Sequence, residues 1–350
     1  MGPILDVLLN PNSTNYWDEF LRSQNMTYKI LSKNIEENID MDVIKNITNG
    51  RRGGEMSWKS YPKSLKEIYT FLAEIANSNK KDCTLSVVGK TVHKTEIKML
   101  KLSNGKSSNP AILVEAGMHG REWTAILSVL YFIESIARNF SSQPSFITDN
   151  NWYIIPVINP DGYEYTLKKD HLWKKNRRIF SGPCDGVDIN RNFDYNWCQN
   201  GGAYDICSPQ YCGPDPFSEA ESKVLKDLIS ANSFFAYVSV HSYGKKVLFP
   251  WAARLNPTRD IKNHIEVTKK MADAMYTIDK HRYKTGSVAR SGGERGSGMA
   301  IDWAYSQGVT YSLVMQTRGE GVGGFFLDPI HLNMAVKEIQ IGIMRLASLL

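Results

Sequence analysis

The run Ala111-Ile112-Leu113-Val114-Glu115, followed two residues later by Met118-His119-Gly120-Arg121-Glu122-Trp123, decides the fold. Four consecutive apolar residues and one carboxylate, with no turn former among them, read as a short buried strand. A helix is then expected from about Glu122 to Arg138. A strand feeding directly into a helix is the repeating unit of an α/β fold, and the alternation recurs along the chain. The sequence predicts an amphipathic helix over Leu65 to Ile75 and a hairpin from Thr84–Val88 and Glu96–Leu102. A strand from Trp152 to Ile158 is expected to end in the turn Asn159-Pro160-Asp161-Gly162. Ser218-Glu219-Ala220-Glu221 has the form of a capping box that opens a helix to about Ile229. Beyond it come a strand from Phe234 to Val240, a helix from Ile261 to Thr277, a strand from Tyr311 to Met315 and a last helix from Leu332 to Leu349. The fold class is therefore α/β, a mixed, largely parallel central sheet flanked by helices.

Length and composition fit one large core with a small appendage. The chain has 350 residues, 42% hydrophobic and 22% charged, with a formal charge of +6. The positive charge is spread along the chain, which argues against a nucleic-acid partner. The densest basic run, Lys174, Lys175, Arg177 and Arg178, reads as a solvated loop. Nothing is long and apolar enough to span a membrane, so no membrane association is expected. The segment Met1 to Leu9 is too short for a signal peptide and has no cleavage pattern, so the expectation is that the secretory address is missing from this sequence.

Two features nevertheless point to export. Four sequons begin at Asn12, Asn25, Asn46 and Asn139, which makes a glycoprotein the expectation. Cys184, Cys198, Cys207 and Cys212 cluster in one Gly-rich stretch, with Cys83 alone upstream. Two disulfides are the favoured reading and a zinc knuckle the rival, although the cluster lacks a C-x-x-C pair. A secreted monomer with a buried free Cys83 follows.

The N-terminal region reads as a separate unit. It holds an apolar strand from Ile4 to Leu9, a helix-like run from Tyr16 to Leu21, a strand from Tyr28 to Leu31 and a polar helical segment from Asn34 to Ile47. Asn49-Gly50-Arg51-Arg52-Gly53-Gly54 then forms a basic linker of the kind trypsin-like proteases cut. The expected boundaries are 1–50, 51–56 and 57–350.

His119, His241 and Gln316 each lie at the end of a predicted strand, where α/β folds bind ligands. Catalytic zinc takes three imidazole or carboxylate ligands and leaves a fourth position open. His119 and Glu122, three apart across a strand-to-helix junction, can reach one ion, with His241 arriving from a distant strand. A lone H-x-x-E is a weak signal, equally at home at an ordinary polar helix start.

The surroundings sharpen it. His119-Gly120-Arg121-Glu122-Trp123, Asp188-Ile189-Asn190-Arg191-Asn192, His241-Ser242-Tyr243 and Ile301-Asp302-Trp303 occur in that order. Together they resemble the zinc metallocarboxypeptidases of the carboxypeptidase A/B family, from about Ser57 to the C-terminus. The resemblance implies a carboxypeptidase-like fold, one Zn2+ held by His119, Glu122 and His241, and Asp188 holding a ligand imidazole. It makes residues 1–50 the tail of an inhibitory α+β prodomain, cut short at its N-terminal side, and 51–56 an activation linker. It assigns Asn190 and Arg191 to the free carboxylate of a peptide C-terminus, for which a guanidinium fork is well shaped. Arg121 and Tyr243 would contact the substrate chain. Ile301 would floor the specificity pocket, favouring aromatic or aliphatic terminal residues, and Met299 shortens that pocket. The implied cysteine pairing is Cys184–Cys207 with Cys198–Cys212.

Three positions depart from the family pattern. Gln316 stands where a glutamate acts as general base, and an amide neither takes nor gives a proton near neutral pH. Lys174 replaces an arginine that polarises the scissile carbonyl, keeping the charge without the fork. The loop Ser291 to Gly298 has no tyrosine to close over substrate, and that position falls on or beside Glu294. Glu294 and Glu320 are the available substitute bases, each otherwise a solvated loop carboxylate. Thr317, Gly319 and Glu320 have also drifted, which fits natural divergence. The leading expectation is a catalytically impaired homologue that binds zinc and peptide or protein C-termini, or a protease-inhibitor-like protein. The alternatives are an active or slow carboxypeptidase and a non-enzymatic interaction scaffold.

Overall fold

The computed structural model describes residues 14–28, 63–293, 295–319, 322–325, 327 and 329–350. The helix-like run near Tyr16 is a helix, Thr14–Ser23. The expected strands Ile4–Leu9 and, apart from Tyr28, Tyr28–Leu31, the helical segment Asn34–Ile47 and the linker lie outside the described residues.

One eight-stranded sheet organises the molecule. In chain order the strands are β1 Cys83–Lys90, β2 Glu96–Leu102, β3 Ala111–Ala116, β4 Asn151–Ile155, β5 Phe234–His241, β6 Lys246–Phe249, β7 Lys284–Ser287 and β8 Tyr311–Gln316. Their order in space is β1-β2-β4-β3-β5-β8-β6-β7. The middle, β4-β3-β5-β8, is parallel, while β1 is antiparallel to β2, β2 to β4 and β6 to β8. The central strands are apolar almost throughout because helices cover both faces. On one face, helices Leu65–Ser78, Trp123–Ala137, Ile261–Asp279 and Pro329–Ala347 pack around Ile112, Val114, Val238 and Leu313. On the other, Ala220–Ala231 and Ala300–Ser306 cover Leu113, Ile155 and Tyr237.

β3 runs between β4 and β5, so the chain leaves it at a point where neighbouring connections diverge. That is the crevice where such sheets bind ligands. His119 follows the end of β3, and His241 and Gln316 end β5 and β8 in register with each other.

Several local expectations need correction. The strand expected to reach Ile158 stops at Ile155, next to Pro156, which has no N–H to give the ladder. Asn159-Pro160-Asp161-Gly162 is not a turn between elements but the start of helix Pro160–Lys168. Asn159 caps it by accepting the Gly162 N–H at 2.9 Å, and Pro160 sits in its first turn. Ser218 caps nothing: its hydroxyl donates to Glu219 at 2.7 Å, and Glu219 is the N-cap of Ala220–Ala231. The capping box lies elsewhere, where Ser64 and Glu67 exchange side-chain and backbone bonds at the start of Leu65–Ser78. The four-residue strands β6 and β7 are too short to announce themselves in the sequence.

Candidate metal centre

The centre is assembled from the ends of two strands and the start of a helix. Gly117, at φ +70°, turns the chain sharply out of β3 and brings His119 over the sheet's edge. Glu122 is the N-cap of helix Trp123–Ala137, yet its side chain makes no capping bond. Its carboxylate instead faces both imidazoles. His119 Nδ1 lies 2.8 Å from Oε1 and His241 Nδ1 lies 2.8 Å from Oε2. One donor atom from each of the three buried residues falls within 4.8 Å of the others. Burial works against the Glu122 charge, but the two imidazoles more than offset it and hold its carboxyl well below the usual range.

The far side of each ring is also held. His119 Nε2 meets Asp188 Oδ1 at 3.1 Å. His241 Nε2 meets the Ser239 hydroxyl at 2.9 Å, and that hydroxyl donates to the buried carboxylate of Glu115. Glu115 also accepts the Tyr237 hydroxyl at 2.9 Å. With Nε2 occupied by a hydrogen-bond partner, each ring offers the Nδ1 lone pair toward the common point. Two imidazoles and one carboxylate fit zinc and leave a coordination position open.

Asp188 is fully buried and shared. Its Oδ1 also accepts the Asn190 N–H at 3.1 Å, and its Oδ2 takes the Lys174 ammonium at 2.6 Å. Burial opposes its ionisation, but Lys174 and then His119 hold the carboxyl well below the ordinary range. The structure therefore commits Lys174 to Asp188.

Asn190 and Arg191 sit in a single 3-10 turn, Ile189–Arg191, nearly closed to solvent. Arg191 spends Nε on the Gly201 carbonyl at 2.7 Å and Nη1 on the Asn190 carbonyl at 2.9 Å. Among the described residues its Nη2 has no hydrogen-bond partner, and neither has Asn190 Nδ2. Two spare donors on adjacent buried residues suit a carboxylate. Arg121 lies over the Phe325 ring, 4.5 Å from its centroid, and its Nε is buried without a partner. Tyr243 packs edge-on against the same ring at 5.0 Å. Met299 and Ile301 are buried with Leu248, Ala252, Val288 and Val314 in a small apolar cluster of their own. Gln316 Oε1 is buried and accepts no hydrogen bond among the described residues. Glu294 and Glu320 lie outside the described residues.

The loop that carries Asp188 to Arg191 is braced by disulfides Cys184–Cys207 and Cys198–Cys212, so these cysteines are not a zinc knuckle. Cys83 is free and buried, its thiol pushed up to about 12 by burial. Ser239, Glu115 and Phe325 escaped the sequence reading. Glu115 carried one signal, a lone carboxylate inside an otherwise apolar strand.

A sheet crevice presenting a buried His–Glu–His cluster defines an α/β fold with a candidate zinc site. More narrowly, a zinc carboxypeptidase profile matches residues 68–340, and the chain belongs to that family. Carboxypeptidase A2 of Rattus norvegicus is 31% identical over 331 residues, covering 93% of this chain and 79% of that protein. The crystal structure of thrombin activatable fibrinolysis inhibitor superposes with a TM-score of 0.87 at 29% identity, covering 96% of this chain and 86% of that one. The bovine form of that inhibitor, solved with a tick carboxypeptidase inhibitor, gives 0.78 at 32% identity, covering 84% and 98%. Zinc is the cofactor of this family, and no helix among the described residues is long and apolar enough to cross a membrane.

Proposed function

We propose that this protein is a zinc-binding carboxypeptidase homologue that holds peptide C-termini and has lost most of its hydrolytic power. Gln316 carries the reading. It ends β8 beside His241, and its amide oxygen is buried with no hydrogen-bond partner among the described residues. Zinc held by His119, Glu122 and His241 would polarise a carbonyl and lower the pKa of a bound water. In this reading the residue that would receive the proton is an amide, and loss of a general base costs ~10²–10⁴-fold. Lys174 adds to the loss, because its ammonium is already engaged by the Asp188 carboxylate at 2.6 Å.

Binding survives better than chemistry. Asn190 Nδ2 and Arg191 Nη2 are the donors assigned to the terminal carboxylate, with Arg121, Tyr243 and Phe325 walling the approach of the chain. The bovine relative's complex with a tick carboxypeptidase inhibitor supports an inhibitor-type protein as a second occupant. Secretion as a glycoprotein is supported by the two disulfides and by exposed sequon asparagines at Asn25 and Asn139. Residues 1–50 are assigned to a prodomain segment, released by cleavage within 51–56 from a zinc-binding unit at 57–350.

The test is release of C-terminal residues from peptides after cleavage at the Arg51–Arg52 linker, with zinc content measured on the same sample. Stoichiometric zinc with turnover at least a hundredfold below that of an active family member is the expected result. Ordinary turnover would sink the proposal, and a preparation that takes up no zinc would favour a pure scaffold.

A further inference from the structure

The six buried side chains Leu248, Ala252, Val288, Met299, Ile301 and Val314 form an apolar cluster separate from the two main cores. It lies beside the carboxylate donors, since Asn190 Oδ1 accepts the Ala300 N–H at 3.1 Å, between Met299 and Ile301. A pocket for a terminal side chain would have to open here. Met299 fills the space. A Cβ built on Gly296 would fall 2.1 Å from the Met299 methyl and 3.3 Å from the Arg191 guanidinium carbon. The methyl and the guanidinium therefore lie on the same side of Gly296, which puts the thioether beside the residue assigned to the terminal carboxylate.

The surroundings give Met299 little freedom to leave. Gly298 exchanges backbone bonds with Phe193 at 3.0 Å and Tyr195 at 2.9 Å. Together with the Asn190–Ala300 bond, this pins the backbone on both sides of Met299. The opposite wall is fixed as well: the Asp302 carboxylate accepts the Ala252 and Ala253 N–H groups, and the Ala252 carbonyl accepts the Gly296 N–H at 3.2 Å. Widening the pocket means moving a restrained wall or exposing a buried thioether, and both oppose entry of a large side chain.

We infer that Met299 closes the specificity pocket, so that the carboxylate clamp selects peptides whose last residue is glycine. This rests on Asn190 and Arg191 holding a terminal carboxylate. It replaces the preference for aromatic or aliphatic termini that Ile301 alone suggests. The occupant is a chain end that offers a carboxylate and backbone but no side chain.

Short fluorescent peptides identical except for a terminal Gly, Leu or Phe, each as free acid and as amide, test this by anisotropy with the zinc-loaded protein. The free-acid Gly peptide should bind at least tenfold more tightly than the Phe peptide. In Met299→Gly the Phe peptide should gain at least tenfold while the Gly peptide still binds, which also shows that the variant is folded. Met299→Ala should fall between. Wild-type protein that binds Phe and Gly free acids equally, and amides more weakly, would overturn the closed pocket while leaving the clamp intact. Equal affinity for acids and amides, or no binding by wild type or variant, would overturn the clamp and this inference with it.

Discussion

Gln316 and His241 are register partners at the ends of adjacent parallel strands, so their backbones lie about one strand spacing, ~4.8 Å, apart and the amide sits next to the strand end that delivers an imidazole to the metal cluster. Gly244 leaves the room for it: a Cβ there would fall 2.2 Å from Gln316 Oε1. A carboxylate is isosteric with the amide and would occupy the same space. Gln316→Glu should therefore raise the turnover of C-terminal hydrolysis by at least ~10²-fold without changing zinc content. Steady-state kinetics with elemental analysis checks this, and an unchanged rate with zinc retained would move the lesion to Lys174.

Lys174 and Asp188 form a buried pair at 2.6 Å, and Asp188 also orients His119. Removing the cation strands a carboxylate that has no access to water. Lys174→Met should cost about 3 kcal/mol in urea unfolding. Asp188→Asn should weaken zinc ~10- to 100-fold by chelator competition, since the partner that fixes the imidazole's tautomer is lost. Zinc affinity unchanged in Asp188→Asn would mean that Asp188 serves only to neutralise Lys174.

On the other imidazole the relay is longer. Ser239 accepts from His241 Nε2 and passes its own proton toward Glu115. Ser239→Ala breaks the chain at its middle while keeping the strand, and should weaken zinc by roughly tenfold with little loss of folding stability. An equal loss in thermal stability and in zinc affinity would instead mark a packing role.

How much of this was legible depended on whether partners were close in sequence. His119 and Glu122 are three residues apart across a strand-to-helix junction, so their pairing could be read from local spacing once the surrounding motifs supported it. The strand ends that deliver His241 and Gln316 were readable because β5 and β8 are apolar runs with abrupt polar ends. The Ser239–Glu115 contact joins residues on two different strands, and sequence alone gives no register between them. Lys174 shows the same limit: its charge was visible, but its commitment to Asp188 depends on how a disulfide-braced loop folds back. Local punctuation also misled. Asn159-Pro160-Asp161-Gly162 has turn composition, yet asparagine followed by proline is equally a helix N-cap and first turn, and tertiary packing chose the helix.

Glu221, on helix Ala220–Ala231, has one oxygen near Asn176 Nδ2 at 3.2 Å and the other buried without a partner. Burial is the main cause and the nearby Glu219 charge a further one; together they push its carboxyl up to about 7. A folded-state pKa above the unfolded value means that the folded protein holds a proton the unfolded chain gives up. The contribution to stability is full below about 4.5 and is lost as pH rises through about 7. Asp302, likewise pushed up to about 7 by burial, acts in the same direction. Stability should therefore fall between pH 5 and pH 8. Glu221→Gln removes the titration and keeps the Asn176 contact, so it should raise stability at pH 8 by on the order of 2 kcal/mol and flatten the profile. Asp302→Asn should behave differently, because its carboxylate accepts the Ala252 and Ala253 N–H groups and an amide would turn a donor toward one of them. Urea unfolding of both variants at pH 5 and pH 8 separates the two cases. A Glu221→Gln variant no more stable than wild type at pH 8 would show that Glu221 titrates as an ordinary carboxylate.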